Sequence, residues 1–249
     1  MSKQNEYQNE NTISVWDNIG YQYEREKYWQ GLENQANLQM LLSHIGEPSE
    51  KKIIEFGCGS GFTSIALAER GAKVALVDIS PISLEKAVAA FSDAGLPAPE
   101  HYLADALDCK LPSNQYDVVW NGGVIEHFFD EGKKKMILEM LRVAKNGGKV
   151  IILVPNAWCW QFQLAQAWLK RRKAWPYGFE DDMSPSRLEG LCRQIGLNNF
   201  TTYAFNTILG WRWLPRFGQL VKIMGLDTLE NHCRRSRMGF VSVLVIEKT

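Results

Sequence analysis

The chain carries no excess of charge: 28 Lys plus Arg stand against 28 Asp plus Glu in 249 residues. Its overall balance therefore points to neither an acidic nor a basic partner. It has no apolar run near the ~18 residues that suggest a membrane span. Its five cysteines, Cys58, Cys109, Cys159, Cys192 and Cys233, form no C-x-x-C pair and are odd in number, which disfavours a disulfide framework or a zinc site. Its four histidines, His44, His101, His127 and His232, are scattered, so no metal is expected. The first twelve residues, MSKQNEYQNENT, contain no apolar signal segment; the expectation is a frayed tail on a cytoplasmic protein. There is no internal repeat, no low-complexity linker and no G-x-x-x-x-G-K-[ST] phosphate loop.

What is present reads as alternating strands and helices. Ile53 to Phe56, Val74 to Val77, Val118 to Trp120 and Val150 to Val154 are continuous apolar runs, as expected of strands covered on both faces. Ser80-Pro81 pairs an N-cap with a Pro at the first helical position, and Leu84, Ala87, Val88 and Phe91 follow at helical spacing. Met136, Ile137, Met140, Leu141 and Ala144 form a second stripe, which Gly147-Gly148 is expected to end. Ser184-Pro185 opens a third, with Leu188, Leu191, Cys192 and Ile195, and Gly196 as its stop. Phe200 to Phe205 and Phe240 to Ile246 read as two further strands with no clear helical pattern between them. The order implies an α/β, doubly wound, Rossmann-like parallel sheet.

The stretch IIEFGCGSGFTS, residues 53–64, joins the first strand to a helix through Gly57, Gly59 and Gly61. In an open α/β sheet, ligands bind beyond the carboxyl ends of the strands. Glycines there permit a tight turn and let a ligand approach the backbone. Asp78 ends the second strand, where an acid can accept hydrogen bonds from both hydroxyls of a ribose. The loop is G-x-G-x-G, and Phe62 stands where a dinucleotide loop has its third glycine. That counts against a nicotinamide or flavin cofactor.

Together EFGCGSG (55–61), VDIS (77–80), LADALD (103–108), YDVVWNGGVIEHF (116–128) and LRVAKNGGKVIILVPN (141–156) resemble the class I S-adenosylmethionine-dependent methyltransferases. The resemblance implies a seven-stranded sheet with an antiparallel last strand, and S-adenosyl-L-methionine as cofactor. It implies that Glu55, Gly57, Gly59 and Gly61 back the methionine part and ribose, that Asp78 binds the ribose hydroxyls and that Ile79 lies against the adenine. Asp105, with Ala106, would read the adenine amino group. Asn121 and Gly122 would lie near the sulfonium. The [DN]-P-P-[YF] motif of amino-directed nucleic-acid methyltransferases is absent. A small organic acceptor is therefore expected, and no nucleic acid. The expected organisation is one domain, with an N-terminal cap over 1–50, a cofactor-binding core over 51–156, and lid insertions over 157–183 and 206–238.

His127 and Glu126 follow the loop nearest the reacting methyl group and are the candidate bases. An acid before a helix also suits the helix dipole, so Glu126 has a structural reading as well. In the cap, Tyr23 is the expected cofactor contact, and Trp16, Tyr28 and Trp29 could take its place; all four could also serve only to dock the helices. Six of the nine tryptophans lie in the two insertions. If WCWQFQLAQAWLKRRK is helical, Trp158, Phe162, Ala165 and Leu169 share a face that Trp160, Leu164 and Trp168 widen, and Lys170 to Lys173 make its end basic. Residues 157–238 hold 12 Lys plus Arg and 6 Asp plus Glu. Three readings follow: an aromatic lid packed on the sheet, a pocket for an apolar or aromatic acceptor, or peripheral contact with an anionic membrane that supplies a lipid-like or quinone-like acceptor. A glycine loop followed by an acid would also serve a non-catalytic cofactor-binding regulatory protein or, despite Phe62, an NAD-dependent oxidoreductase.

Overall fold

Strands of this chain are apolar on both sides because helices cover both faces of one sheet. The computed structural model describes residues 10–21, 32–214 and 235–249. In chain order the elements are α1 (Glu10–Gly20), α2 (Leu32–Ile45), β1 (Lys52–Phe56), α3 (Phe62–Ala68), β2 (Lys73–Asp78), α4 (Pro81–Asp93), β3 (Glu100–Leu103), β4 (Tyr116–Gly122), a 3-10 turn (Ile125–His127), α5 (Asp130–Val143), β5 (Ala144–Pro155), α6 (Trp160–Arg171), α7 (Pro185–Gln194), β6 (Phe200–Phe205), α8 (Thr207–Trp211) and β7 (Val241–Glu247). The sheet order is β3-β2-β1-β4-β5-β7-β6, and β7 runs antiparallel to both of its neighbours. The seven-stranded α/β sheet with an antiparallel last strand is thus present as expected.

Alternate residues of each strand feed two separate cores. Ile53, Val118, Trp120 and Ile151 pack with α2, α3 and α4 on one face. Ile54, Val119, Val150 and Ile152 pack with α5 and α7 on the other. The strand order reverses between β1 and β4, so the loops after β1, β2 and β4 open on one crevice. Two helix starts follow their capping residues: Ser80 Oγ accepts from the Ser83 amide at 3.0 Å and Ser184 Oγ from the Arg187 amide at 3.3 Å.

Three elements differ from the sequence expectation. β3 was not marked by any apolar run, because it is an edge strand whose four residues are all at least partly exposed. The helix carrying Met136 ends at Val143, and Ala144 already belongs to β5. Lys145 to Gly148 bulge out between the pairs Tyr116–Ala144 and Val118–Lys149, so Gly147, at φ 76°, shapes a bulge and caps no helix. Between β6 and β7 the described residues include the short helix α8, too brief to show a periodic pattern.

α6 also differs in its faces. Phe162 and Ala165 are buried, and Phe162 packs edge-on against Trp175, Trp213 and Phe240. Trp160, Leu164 and Trp168, expected to widen that inner face, instead point outward at 42%, 56% and 40% exposure. A helix packed along one side can bury only one stripe, and these three fall away from the stripe of Phe162 and Ala165.

Candidate active site

The glycine loop is pinned to the end of β2. The amides of Gly57 and Cys58 both donate to Val77 O, at 2.7 and 3.1 Å. The amide of Gly59 donates to Asp78 Oδ2 and that of Ser80 to Oδ1, each at 2.9 Å. Asp78 thus holds the loop and the start of α4 together while its carboxylate borders the crevice. Burial pushes its pKa up, and the backbone donors oppose that shift. Gly57 has φ 65°, and a Cβ there would overlap Val124 Cγ2, so only glycine lets the loops after β1 and β4 approach this closely.

Glu55 is buried beneath the loop and accepts a 2.5 Å hydrogen bond from Ser64 Oγ. Burial pushes its carboxyl up to about 8. Asp105 Oδ1 accepts from the Leu107 amide at 2.8 Å, which tightens the turn after β3. Glu55, Gly57, Gly59, Asp78, Ile79, Asp105, Ala106 and Gly122 all border one cavity of about 530 Å³, a size suited to a nucleoside-bearing cofactor and part of an acceptor. Gly61 does not border it; it caps α3 at φ 65° and lies against Ala87 of α4.

His127 borders the same cavity. Its Nδ1 lies 2.8 Å from Phe179 O; a carbonyl only accepts, so Nδ1 carries the proton and Nε2 is left with a lone pair. Burial is the main cause of a pKa lowered to about 4, so the ring is neutral at pH 7. Trp16 of α1 meets the ring edge-on at 4.7 Å.

Besides Gly61, two expected residues stand elsewhere. Asn121 points to the other face of β4, where its Nδ2 lies 3.3 Å from Met140 Sδ. Side chains alternate along a strand, so Asn121 and Trp120 cannot both face the cavity. Glu126 is buried and does not border the cavity; its Oε2 has no hydrogen-bond partner among the described residues, and burial pushes its pKa well up. Tyr23 lies outside the described residues, as do Tyr28 and Trp29; of the cap aromatics, Trp16 borders the cavity. Reasoning from sequence missed Asn34 and Asn37 of α2 and the Phe128–Phe129 pair, all on the cavity wall. No motif marks the asparagines; the phenylalanines adjoin His127 and were within reach of it.

The comparisons agree with this fold. Residues 53–148 match a family model described as a methyltransferase domain. A probable tocopherol O-methyltransferase of Oryza sativa is 27% identical over 81% of this chain and 57% of its own length. A ubiquinone biosynthesis O-methyltransferase of Leptothrix cholodnii is 29% identical over 66% of this chain and 72% of its own. The chain therefore spans little more than half of the rice relative. Among solved structures, the geranyl diphosphate C-methyltransferase of Streptomyces coelicolor, in complex with Mg2+, geranyl diphosphate and S-adenosyl-L-homocysteine, superposes with a TM-score of 0.61 at 16% identity, over 86% of this chain and 79% of that one. Residues 53–148 thus match a methyltransferase domain, and the chain shares the fold of the solved methyltransferase. Among the described residues, no helix is long and apolar enough to cross a membrane.

Proposed function

We propose that this protein transfers a methyl group from S-adenosyl-L-methionine to a small organic acceptor held beside His127. The observation that carries the reading is the convergence of the glycine loop, Asp78, Asp105 and His127 on one cavity. The cofactor, when bound, supplies an activated methyl on a sulfonium. Asp78 has the position and charge to hold ribose hydroxyls, and the turn from Asp105 to Leu107 forms a wall for a base. Gly57 and Gly122 keep the floor free of side chains, so the acceptor can come into line with the methyl carbon. His127 Nε2 takes the acceptor's proton where the acceptor has one to lose.

The names of the relatives favour an apolar, ring-bearing or prenyl-bearing acceptor such as a phenol of the tocopherol or quinone kind. Such an acceptor resides in membranes. The outward stripe Trp160, Leu164 and Trp168 supports peripheral contact with an anionic bilayer. It ends in Lys170, Arg171, Arg172 and Lys173, with the Arg172 guanidinium 4.2 Å from the Trp168 ring centre. Cys58, Cys109, Cys159 and Cys192 are buried free thiols, which suits a cytoplasmic, reducing location.

Calorimetric titration with S-adenosylmethionine, S-adenosylhomocysteine and NAD tests the cofactor, with Asp78→Ala as control. Binding of the first two, lost in the variant, is expected; preferential binding of NAD would return the oxidoreductase reading. A screen of prenylated phenols for methyl transfer then separates an enzyme from a non-catalytic binder.

A further inference from the structure

The segment after α6 reaches back to the catalytic wall and is fastened there at several points. Phe179 O accepts from His127 Nδ1. The Asp181 amide donates to Glu126 O at 2.9 Å, and the Met183 amide to Pro155 O at 3.0 Å. The Asp181 carboxylate pairs with the fully buried Lys133 and, at 2.6 Å, with Arg187, which also reaches Asp130 at 2.9 Å. Between these fastenings lies Glu180. It is nearly buried, and its Oε2 accepts from Gln166 Nε2 of α6 at 2.8 Å. Its Oε1 stands 3.9 Å from His127 Nε2, beyond hydrogen-bond distance but close enough for a strong interaction of charges.

We propose that Glu180 is a positioning residue for His127, its carboxylate stabilising the imidazolium that forms when Nε2 takes the acceptor's proton. The proposal rests on the methyl-transfer reading above and on an acceptor that carries an O–H or N–H. In that step the acceptor's X–H bond breaks, its electron pair stays on X and the N–H bond forms on Nε2. The new X–C bond offsets the C–S bond that breaks, whose pair remains on sulfur. His127 then holds a positive charge in a buried place. Lys133 of α5 and Lys170 of α6 oppose that charge, Glu180 stands against the ring, and Asp182 acts on both Glu180 and Glu126. Lys133 is already paired with Asp181, and Gln163 donates to Asp182 Oδ2 at 2.7 Å. Glu180 is the acid that directly faces the ring.

Burial, reinforced by Asp182, pushes Glu180 up to about 7. Its carboxyl is neutral below that pH and offers His127 no compensating charge; above it the charge is present. Turnover should therefore rise as pH increases through about 7. Glu180→Gln keeps the shape and an oxygen for Gln166 and removes the charge. Its kcat should fall about 10- to 100-fold at pH 8, lose the acid limb of its pH profile and leave cofactor affinity unchanged. Glu180→Asp should keep part of the limb. An independent readout needs neither cofactor nor acceptor: the His127 ring signals in NMR, assigned with His127→Asn, should show an inflection near the Glu180 titration that vanishes in Glu180→Gln. A missing inflection in the wild type, or an unchanged kcat–pH profile in Glu180→Gln, overturns the proposal. A wild type that binds no cofactor overturns instead the methyl-transfer reading, and the NMR titration still reports whether Glu180 and His127 interact.

Discussion

On one side of the cavity, Gly57, Asp78 and Asp105 each stand at or just beyond the end of the strand that carries them, and Asp78 is bonded to a loop 19 residues away. On the other side, His127 is held by Phe179, 52 residues further on, and by a ring from α1. The first side is built from motifs in which each turn follows its own strand. The second is assembled from three segments that only the folded chain brings together. The first arrangement rests on backbone donors of neighbouring turns: the amides of Gly59 and Ser80 on Asp78 and that of Leu107 on Asp105. The second can change with the length and path of the segment after β5 without disturbing the sheet.

The largest expected effect falls on the first side. Gly57→Val places a β-branched residue at φ 65° and against Val124. It should cost about 3 kcal/mol of stability and abolish cofactor binding, read by urea denaturation and calorimetry. An unchanged midpoint with normal affinity would break the argument for the close approach of the two loops. On the second side, His127→Gln should lower kcat about 100-fold or more with cofactor affinity retained. If affinity fell in step with kcat, the two sides would not be separable.

A third test concerns Glu55, whose pKa in the folded protein, about 8, lies above the ordinary 4.5. A carboxyl raised in this way stabilises the fold fully below about 4.5, and the contribution is lost as pH rises through about 8. The cofactor-free wild type should thus lose a few kcal/mol between pH 5 and pH 9, at about 1.4 kcal/mol per unit. Glu55→Gln should flatten that dependence in denaturation curves at the two pH values; an equal slope in both proteins would place the pH sensitivity elsewhere. The smallest effect on the fold is expected for Leu164→Ser combined with Trp168→Ser, within about 0.5–1 kcal/mol, since both are exposed. Sedimentation with phosphatidylglycerol vesicles at low salt should nevertheless fall to background. Equal sedimentation of variant and wild type would remove the outward stripe as a membrane contact.

The apolar runs of β1, β2, β4 and β5 were legible because both faces of each are covered, so nearly every residue must be apolar. β3 was not, because an edge strand needs no such run. The caps at Ser80 and Ser184 were legible because a hydroxyl and a following Pro act within one turn. The outward turn of Trp160, Leu164 and Trp168 was not, because period alone does not tell which stripe of a helix meets the sheet when both are apolar.

The sequence by itself determined the sheet class, the glycine loop and the acid that closes it, since these depend on contacts within a strand and its next turn. Only the tertiary structure decided that Asn121 and Glu126 face away from the cavity and that Trp16 faces it. It alone brought Glu180 to His127. Those outcomes depend on which face of β4 meets which core, and on the Lys133–Asp181–Arg187 ion pairs that draw a distant segment back over the site. Long-range packing of that kind has no local signature in the chain.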